Sequence, residues 1–289
     1  MLGLFAGGVM IGLVGLGQMG AAMLRRLRAE GQGVLGFDLE PGLRDAARAA
    51  GAVACAAPHG VAAPLVIFSL PHAGAVEAVL AALLPHLPMG AVIVDTSTIE
   101  PASARRFAQQ CDAAGVAYLD APVSGGPGGA ASGQLAMMVG GSAAALERVR
   151  SSLVLLTARI VHVGDSGAGQ VAKLANNLLV ATHLAAAAEA LRMAARAGVP
   201  PEAILPVINA ASGRSAATEV NWPRWISTGS FDSGFTAGLM RKDVRLALAL
   251  AEEVGAELAV CGAAASAWAE SPVADGEEFN RVAAGIFEG

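Results

Sequence analysis

The run Gly15-Leu16-Gly17-Gln18-Met19-Gly20 constrains this chain more than any other segment. It follows a short apolar, strand-like stretch, Val9 to Val14, and precedes a helix-like stretch, Ala21 to Glu30. A second strand, Val34 to Phe37, ends at Asp38. GxGxxG alone is a weak signal, because glycine-rich turns also arise for purely structural reasons. Between a strand and a helix, with an acidic residue 18 positions beyond the third glycine, it reads as a βαβ unit that binds a dinucleotide. Gly15 permits the tight turn, Gly17 lets backbone N–H groups approach a pyrophosphate, and Gly20 allows close helix–strand packing. The phosphates then sit at the positive end of the helix. Asp38 can accept hydrogen bonds from adenosine ribose hydroxyls and would repel a 2′-phosphate, which favours NAD over NADP. Arg44, on the following helix pattern, leaves NADP open.

Strand and helix patterns continue to alternate. Leu65 to Ser69 and Ala91 to Asp95 are strand-like, so Leu70-Pro71-His72 and Thr96-Ser97-Thr98 fall at strand carboxyl ends, where open α/β sheets bind ligands. Ala117 to Asp120, Gln134 to Val139 and Arg159 to Val163 extend the sheet. From Gly164 the strand pattern stops and helical patterns take over, beginning with a long segment to about Arg196. The reading is an α/β Rossmann-like domain over 1–163 followed by an all-helical domain over 164–289.

Composition narrows the function classes. Hydrophobic residues make up 54% and charged residues 15%, which fits an ordered globular chain with a substantial core and hints at a buried subunit interface. A formal charge of −5 supplies no basic footprint for nucleic acid. Cys55, Cys111 and Cys261 lack metal-ligand spacing, so no metal is expected and a reducing, cytoplasmic compartment is the simplest account. Residues 1–17 lack the basic start of a signal peptide, and Met1 to Val9 read as an extension or an alternative-start artefact ahead of Met10. His183, Glu189 and Arg192 interrupt the apolar stretch from Leu178, which argues for a soluble protein without a membrane span.

Two further segments carry chemistry. After Asp120, the sequence Ala121-Pro122-Val123-Ser124-Gly125-Gly126-Pro127-Gly128-Gly129 reads as a loop. Ser124 with the N–H groups of Gly125 and Gly126 suits a small anion, and a plain strand-to-loop turn fits equally well. Between Asp165 and Glu189 the one formally charged side chain is Lys173, in a helical, apolar setting. A partly desolvated lysine shifts toward a pKa useful for proton transfer. A lysine snorkelling to the surface is the simpler account of that residue taken alone. Asn177 projects from the same helix face one turn on.

Taken in order, GLVGLGQMG (12–20), DAPVSGG (120–126), GQVAKLANN (169–177) and GLMRKD (238–243) resemble the β-hydroxyacid dehydrogenase family over nearly the whole chain. The resemblance implies a Rossmann-like domain joined by a long helix to an all-helical domain, assembled as a homodimer or homotetramer. It implies a small carboxylate-bearing 3-hydroxy acid as substrate, with Lys173 as general acid/base. Ser124, Gly125 and Gly126 would hold the carboxylate and Asn177 would orient the substrate. Gly15 to Gly20, with Asp38, would hold the cofactor. Leu70, Pro71 and Thr98 would border its nicotinamide and ribose, and Lys242 would also reach it, with Asp243 beside it. Arg214, Trp222 and Phe235 lie where such proteins vary their pockets, and packing or surface roles fit those three as well. An imine reductase-like enzyme and a catalytically silent dinucleotide sensor are the alternatives.

Overall fold

The computed structural model describes residues 10–289. Met1 to Val9 lie outside them, so the first strand is described from Met10. The elements run β1 (Met10–Val14), α1 (Gln18–Ala29), β2 (Gly33–Phe37), α2 (Pro41–Ala49), β3 (Val53–Ala54), β4 (Leu65–Phe68), α3 (Ala73–Leu83), β5 (Val92–Asp95), α4 (Pro101–Ala113) and β6 (Ala117–Asp120). They continue with β7 (Val123–Ser124), α5 (Gly126–Ser132), β8 (Leu135–Gly140), α6 (Ala143–Leu153), β9 (Thr157–Gly164), α7 (Ala168–Arg196), α8 (Pro201–Ala210), α9 (Ala237–Glu253), α10 (Ala259–Glu270) and α11 (Asn280–Glu288).

The strands form one sheet in the order β3-β2-β1-β4-β5-β6-β8-β7, with β9 on the other side of β8. From β3 to β6 every pairing is parallel. The strands are uninterrupted apolar runs because both faces are covered. Ile11, Leu13, Leu65, Ile67, Val92 and Val94 face one core with α1 and α6, while Val14, Val66, Phe68 and Ile93 face the other with α3 and α4. Chain order reverses between β1 and β4, which makes their carboxyl ends the ligand crevice of a doubly wound sheet.

Two features depart from the expected pattern. β8 runs antiparallel to β6 and β7, so the sheet is mixed at that edge. The segment after Ser124 is also helical rather than a loop, because α5 starts at Gly126. Gly125 and Gly126 reverse the chain with φ of +123° and +62°, and Pro127 sits in the first turn, where no backbone N–H is needed. The small residues of α5 let it pack on α1.

The chain divides into two compact units, the first ending at Lys173 and the second running from Leu174 to Gly289, so the division falls inside α7. In the second unit Leu174, Leu178, Ala181, Leu184, Ala188 and Leu191 form a helical stripe that packs with Trp222, Met240, Val244, Trp268 and Val282. Trp268 Nε1 donates to the carbonyl of Ala181 at 3.0 Å. Among the described residues α7 is the one helix long and apolar enough to cross a membrane by length and composition. Its stripe is instead occupied by this core. Ala217–Ile226 is a π-helical segment containing Pro223, a geometry that the sequence pattern did not indicate.

Candidate active site

The glycine turn after β1 is built by steric necessity. Gly15 has φ +89°, and a Cβ there would lie 2.1 Å from the carbonyl oxygen of Ser69. A Cβ on Gly20 would lie 1.8 Å from the carbonyl oxygen of Gly15, so α1 starts in backbone contact with the turn. Gly17 differs, because nothing lies within 4 Å of its Cβ position. It is the N-cap of α1, and no side chain caps that helix, which leaves its first N–H groups available to a phosphate. Gln18 is exposed beside it, Met19 is half-buried, and the Leu16 side chain is in the core.

Asp38 ends β2 next to this turn. Its Oδ2 accepts the Leu16 N–H at 2.7 Å and its Oδ1 accepts the Glu40 N–H at 3.0 Å. Arg44 Nη1 donates to the carbonyls of Asp38 and Leu39 at 2.6 and 2.9 Å. The carboxylate is therefore oriented by backbone, and the neighbouring cation is committed to carbonyls. An open Gly17, an uncapped helix start and an oriented carboxylate together fit a dinucleotide.

The loops after β4 and β5 are tied to each other. Thr96 Oγ1 donates to the Phe68 carbonyl at 2.6 Å, and the Leu70 N–H donates to Ser97 Oγ at 2.9 Å. Beneath them Asp95 is fully buried: its Oδ1 accepts the Ser97 N–H at 2.9 Å and its Oδ2 accepts the Tyr118 hydroxyl at 2.5 Å. Burial pushes the Asp95 carboxyl up to about 6, against the lowering effect of those hydrogen bonds. Leu70 and Thr98 are half-buried and Pro71 is exposed. His72 caps α3, its Nδ1 accepting the Ala75 N–H at 3.1 Å.

Asp120, buried at the end of β6, anchors the start of α7. Its Oδ1 accepts the Gly167 N–H at 2.7 Å and its Oδ2 accepts the Gln170 N–H at 3.0 Å. The approach is close enough that a Cβ on Gly169 would lie 2.4 Å from the Asp120 carbonyl oxygen. Desolvation raises the Asp120 pKa, and the backbone N–H groups of Gly167 and Gln170 oppose that rise. Ser124 and Gly126 lie half-buried and Gly125 exposed, just beyond Asp120.

Lys173 follows one turn after Gln170 and is only 7% exposed. Asn177, a further turn on, is 4% exposed. Its Nδ2 donates to Asp243 Oδ2 at 2.6 Å, its Oδ1 accepts from Asn176 Nδ2 at 3.0 Å, and Lys242 Nζ stands 3.3 Å from Asp243 Oδ1. Trp222 is a core residue of the second unit and Phe235 packs half-buried against that core, set edge-on against Phe287 and Phe279 respectively, while Arg214 is exposed. Asp95, Tyr118 and Gln170 escaped the sequence reading. Their signal was slight, polar residues at strand ends and at a helix start, and burial distinguishes them from surface polar groups.

Residues 10–164 match the sequence model of the NAD binding domain of 6-phosphogluconate dehydrogenase. Residues 167–283 match that described as the NAD-binding region of NADP-dependent 3-hydroxyisobutyrate dehydrogenase. The chain is 41% identical over 250 residues to 2-(hydroxymethyl)glutarate dehydrogenase of Eubacterium barkeri, covering 85% of this chain and 83% of that protein. It is 38% identical over 248 residues to the NAD-dependent L-serine dehydrogenase of Pseudomonas aeruginosa, covering 82% of this chain and 83% of that protein. The structure of Mycobacterium tuberculosis 3-hydroxyisobutyrate dehydrogenase with L-serine superposes with a TM-score of 0.90 at 34% identity, covering 96% of this chain and 99% of that one.

Proposed function

This chain belongs to the β-hydroxyacid dehydrogenase family of NAD(P)-binding oxidoreductases, and on that footing we propose that it moves a hydride between NAD and C3 of a small 3-hydroxy acid bearing a free carboxylate. The observation that carries the proposal is the burial of Lys173, a lysine 7% exposed on the helix that Asp120 anchors. The 3-hydroxyisobutyrate type of substrate is favoured, with L-serine and 2-(hydroxymethyl)glutarate sharing the same primary alcohol and carboxylate.

In this assignment Gly15, Leu16, Gly17, Gln18, Met19 and Gly20 cradle the cofactor phosphates, and Asp38 takes the ribose hydroxyls and favours NAD. Leu70, Pro71 and Thr98 border the nicotinamide, and Lys242 is assigned to cofactor binding. Bound NAD supplies the hydride acceptor for alcohol oxidation. Ser124 and the N–H groups of Gly125 and Gly126 hold the substrate carboxylate, and Asn177 orients the substrate. Neutral Lys173 takes the hydroxyl proton as the carbinol carbon is oxidised; in the reverse direction its ammonium form protonates the aldehyde oxygen. Residues 1–163 form the cofactor domain in this scheme and 164–289 the helical domain. Free Cys55, Cys111 and Cys261 fit work in the reducing cytoplasm. The assembly assigned is a homodimer or homotetramer.

The test is a panel of 3-hydroxyisobutyrate, L-serine, 2-(hydroxymethyl)glutarate and tartronate semialdehyde, assayed with NAD(H) and NADP(H). Turnover of at least one with the NAD pair ahead of the NADP pair is expected. No turnover of any, with either cofactor, contradicts the proposal.

A further inference from the structure

Gln170 is wholly buried and uses its side-chain amide at both ends. Its Oε1 accepts the Ile99 N–H at 3.1 Å, and its Nε2 donates to the Ser97 carbonyl at 2.8 Å. The two bonds grip the loop after β5 on either side of Thr98. Its backbone N–H is already held by Asp120 at 3.0 Å. Asp120, with a second bond from the Gly167 N–H at 2.7 Å, docks the start of α7 against β6 without help from the Gln170 side chain. The amide therefore performs a different task from docking the helix, because it links the helix to the loop.

That link has a direction. Lys173 lies three residues beyond Gln170 on α7, on the same helix face and about 4.5 Å farther along the axis. The loop end is rigid in turn, since the Ser97 N–H is held by Asp95 at 2.9 Å and Ser97 Oγ accepts the Leu70 N–H at 2.9 Å. We infer that Gln170 is a positioning residue, whose grip on the Ser97–Ile99 peptide sets the register of Lys173 against the Thr98 loop. This rests on the reading of Lys173 as general acid/base. The geometry matters because proton transfer needs its donor in place: a displacement of about 1 Å in a reacting group costs on the order of 100-fold in rate.

The experiment is a double-mutant cycle on the full chain with Gln170→Leu and Lys173→Ala, using the fastest substrate of the four-compound panel. Gln170→Leu is expected to lower kcat by roughly 10- to 100-fold, with KM for the hydroxy acid changed by less than about 3-fold. In the Lys173→Ala background the same change is expected to cost nothing further, because its effect passes through the lysine. Hydrogen exchange of the Ile99 amide, measured without cofactor, is expected to speed up in Gln170→Leu. A purely structural residue would slow both backgrounds alike, and that additive result overturns the inference. So does wild-type turnover of Gln170→Leu beside an inactive Lys173→Ala, an outcome that leaves the lysine reading intact. Wild-type turnover of Lys173→Ala removes the lysine reading and this inference with it. Should Gln170→Leu fail to fold, Gln170→Glu, which keeps an acceptor for the Ile99 N–H, enters the same cycle with the same non-additivity expected.

Discussion

Asn177 and Asp243 meet inside the second unit, the Asn177 amide nitrogen donating to Asp243 Oδ2 at 2.6 Å with both side chains buried. With the bond from Asn176 Nδ2 to Asn177 Oδ1, the contact fixes which end of the amide carries the oxygen. Lys242, 3.3 Å from the other oxygen of Asp243, balances the buried carboxylate. Asp243→Leu strands the Asn177 donor, so a loss of about 1–3 kcal/mol in urea unfolding is expected. If Asn177 orients the substrate, KM for the hydroxy acid rises as well. Unchanged stability would show that the contact contributes nothing.

Gly17 and Gly20 belong to the same turn, yet their alanine variants are expected to fail differently. Gly20→Ala places a methyl group 1.8 Å from the Gly15 carbonyl oxygen, so circular dichroism and thermal melting should report a damaged fold. Gly17→Ala meets nothing within 4 Å, so its melting curve should overlay that of the wild type. Its NADH affinity, read by fluorescence titration, is expected to fall at least 10-fold, because the new methyl group occupies the approach to the phosphates. Equal NADH affinity in Gly17→Ala and wild type would place the pyrophosphate elsewhere.

Asp38 is expected to set the cofactor preference. Replacing it with serine removes the charge that repels a 2′-phosphate, and the ratio of kcat/KM for NAD over NADP should drop by about 10-fold or more. The Leu16 N–H also loses its 2.7 Å acceptor, so some affinity for both cofactors goes with it. A preference for NADP in the wild type would contradict this role.

The buried carboxyl of Asp95 makes stability pH-dependent in a definite direction. Its pKa is raised from an ordinary 3.8 to about 6, so the folded chain holds a proton that the unfolded chain has released. The stabilisation is complete below pH 4 and is lost as pH rises through about 6. Asp95→Asn cannot ionise. Between pH 3 and pH 8 the wild type should lose about 3 kcal/mol relative to that variant in urea unfolding. Parallel pH profiles for the two proteins would contradict the assignment.

Much of this was legible in the sequence because it is local. The turn at Gly15, the acidic end of β2 at Asp38 and the run of Leu and Ala along α7 each announce themselves in a short stretch of sequence of recognisable pattern. The pairings of Gln170 with Ser97 and of Tyr118 with Asp95 were not legible, since they join residues 73 and 23 positions apart and each partner is an unremarkable polar residue. The short helix after Ser124 was hidden for another reason: Gly-Pro-Gly-Gly has the composition of a loop, and packing of α5 on α1 overrides that propensity. For Trp222 and Phe235 the sequence left pocket and packing roles equally open; Trp222 lies in the core of the second unit and Phe235 packs half-buried against it.

Lys173 remains the centre of the account, and one comparison tests it most directly: steady-state turnover of Lys173→Ala against wild type with the best panel substrate, alongside NADH binding measured on the same samples. The expected result is a kcat lower by roughly 100-fold or more with NADH affinity within about 2-fold, because the proton acceptor is gone while the glycine turn and Asp38 are untouched. Turnover close to wild type would contradict the account.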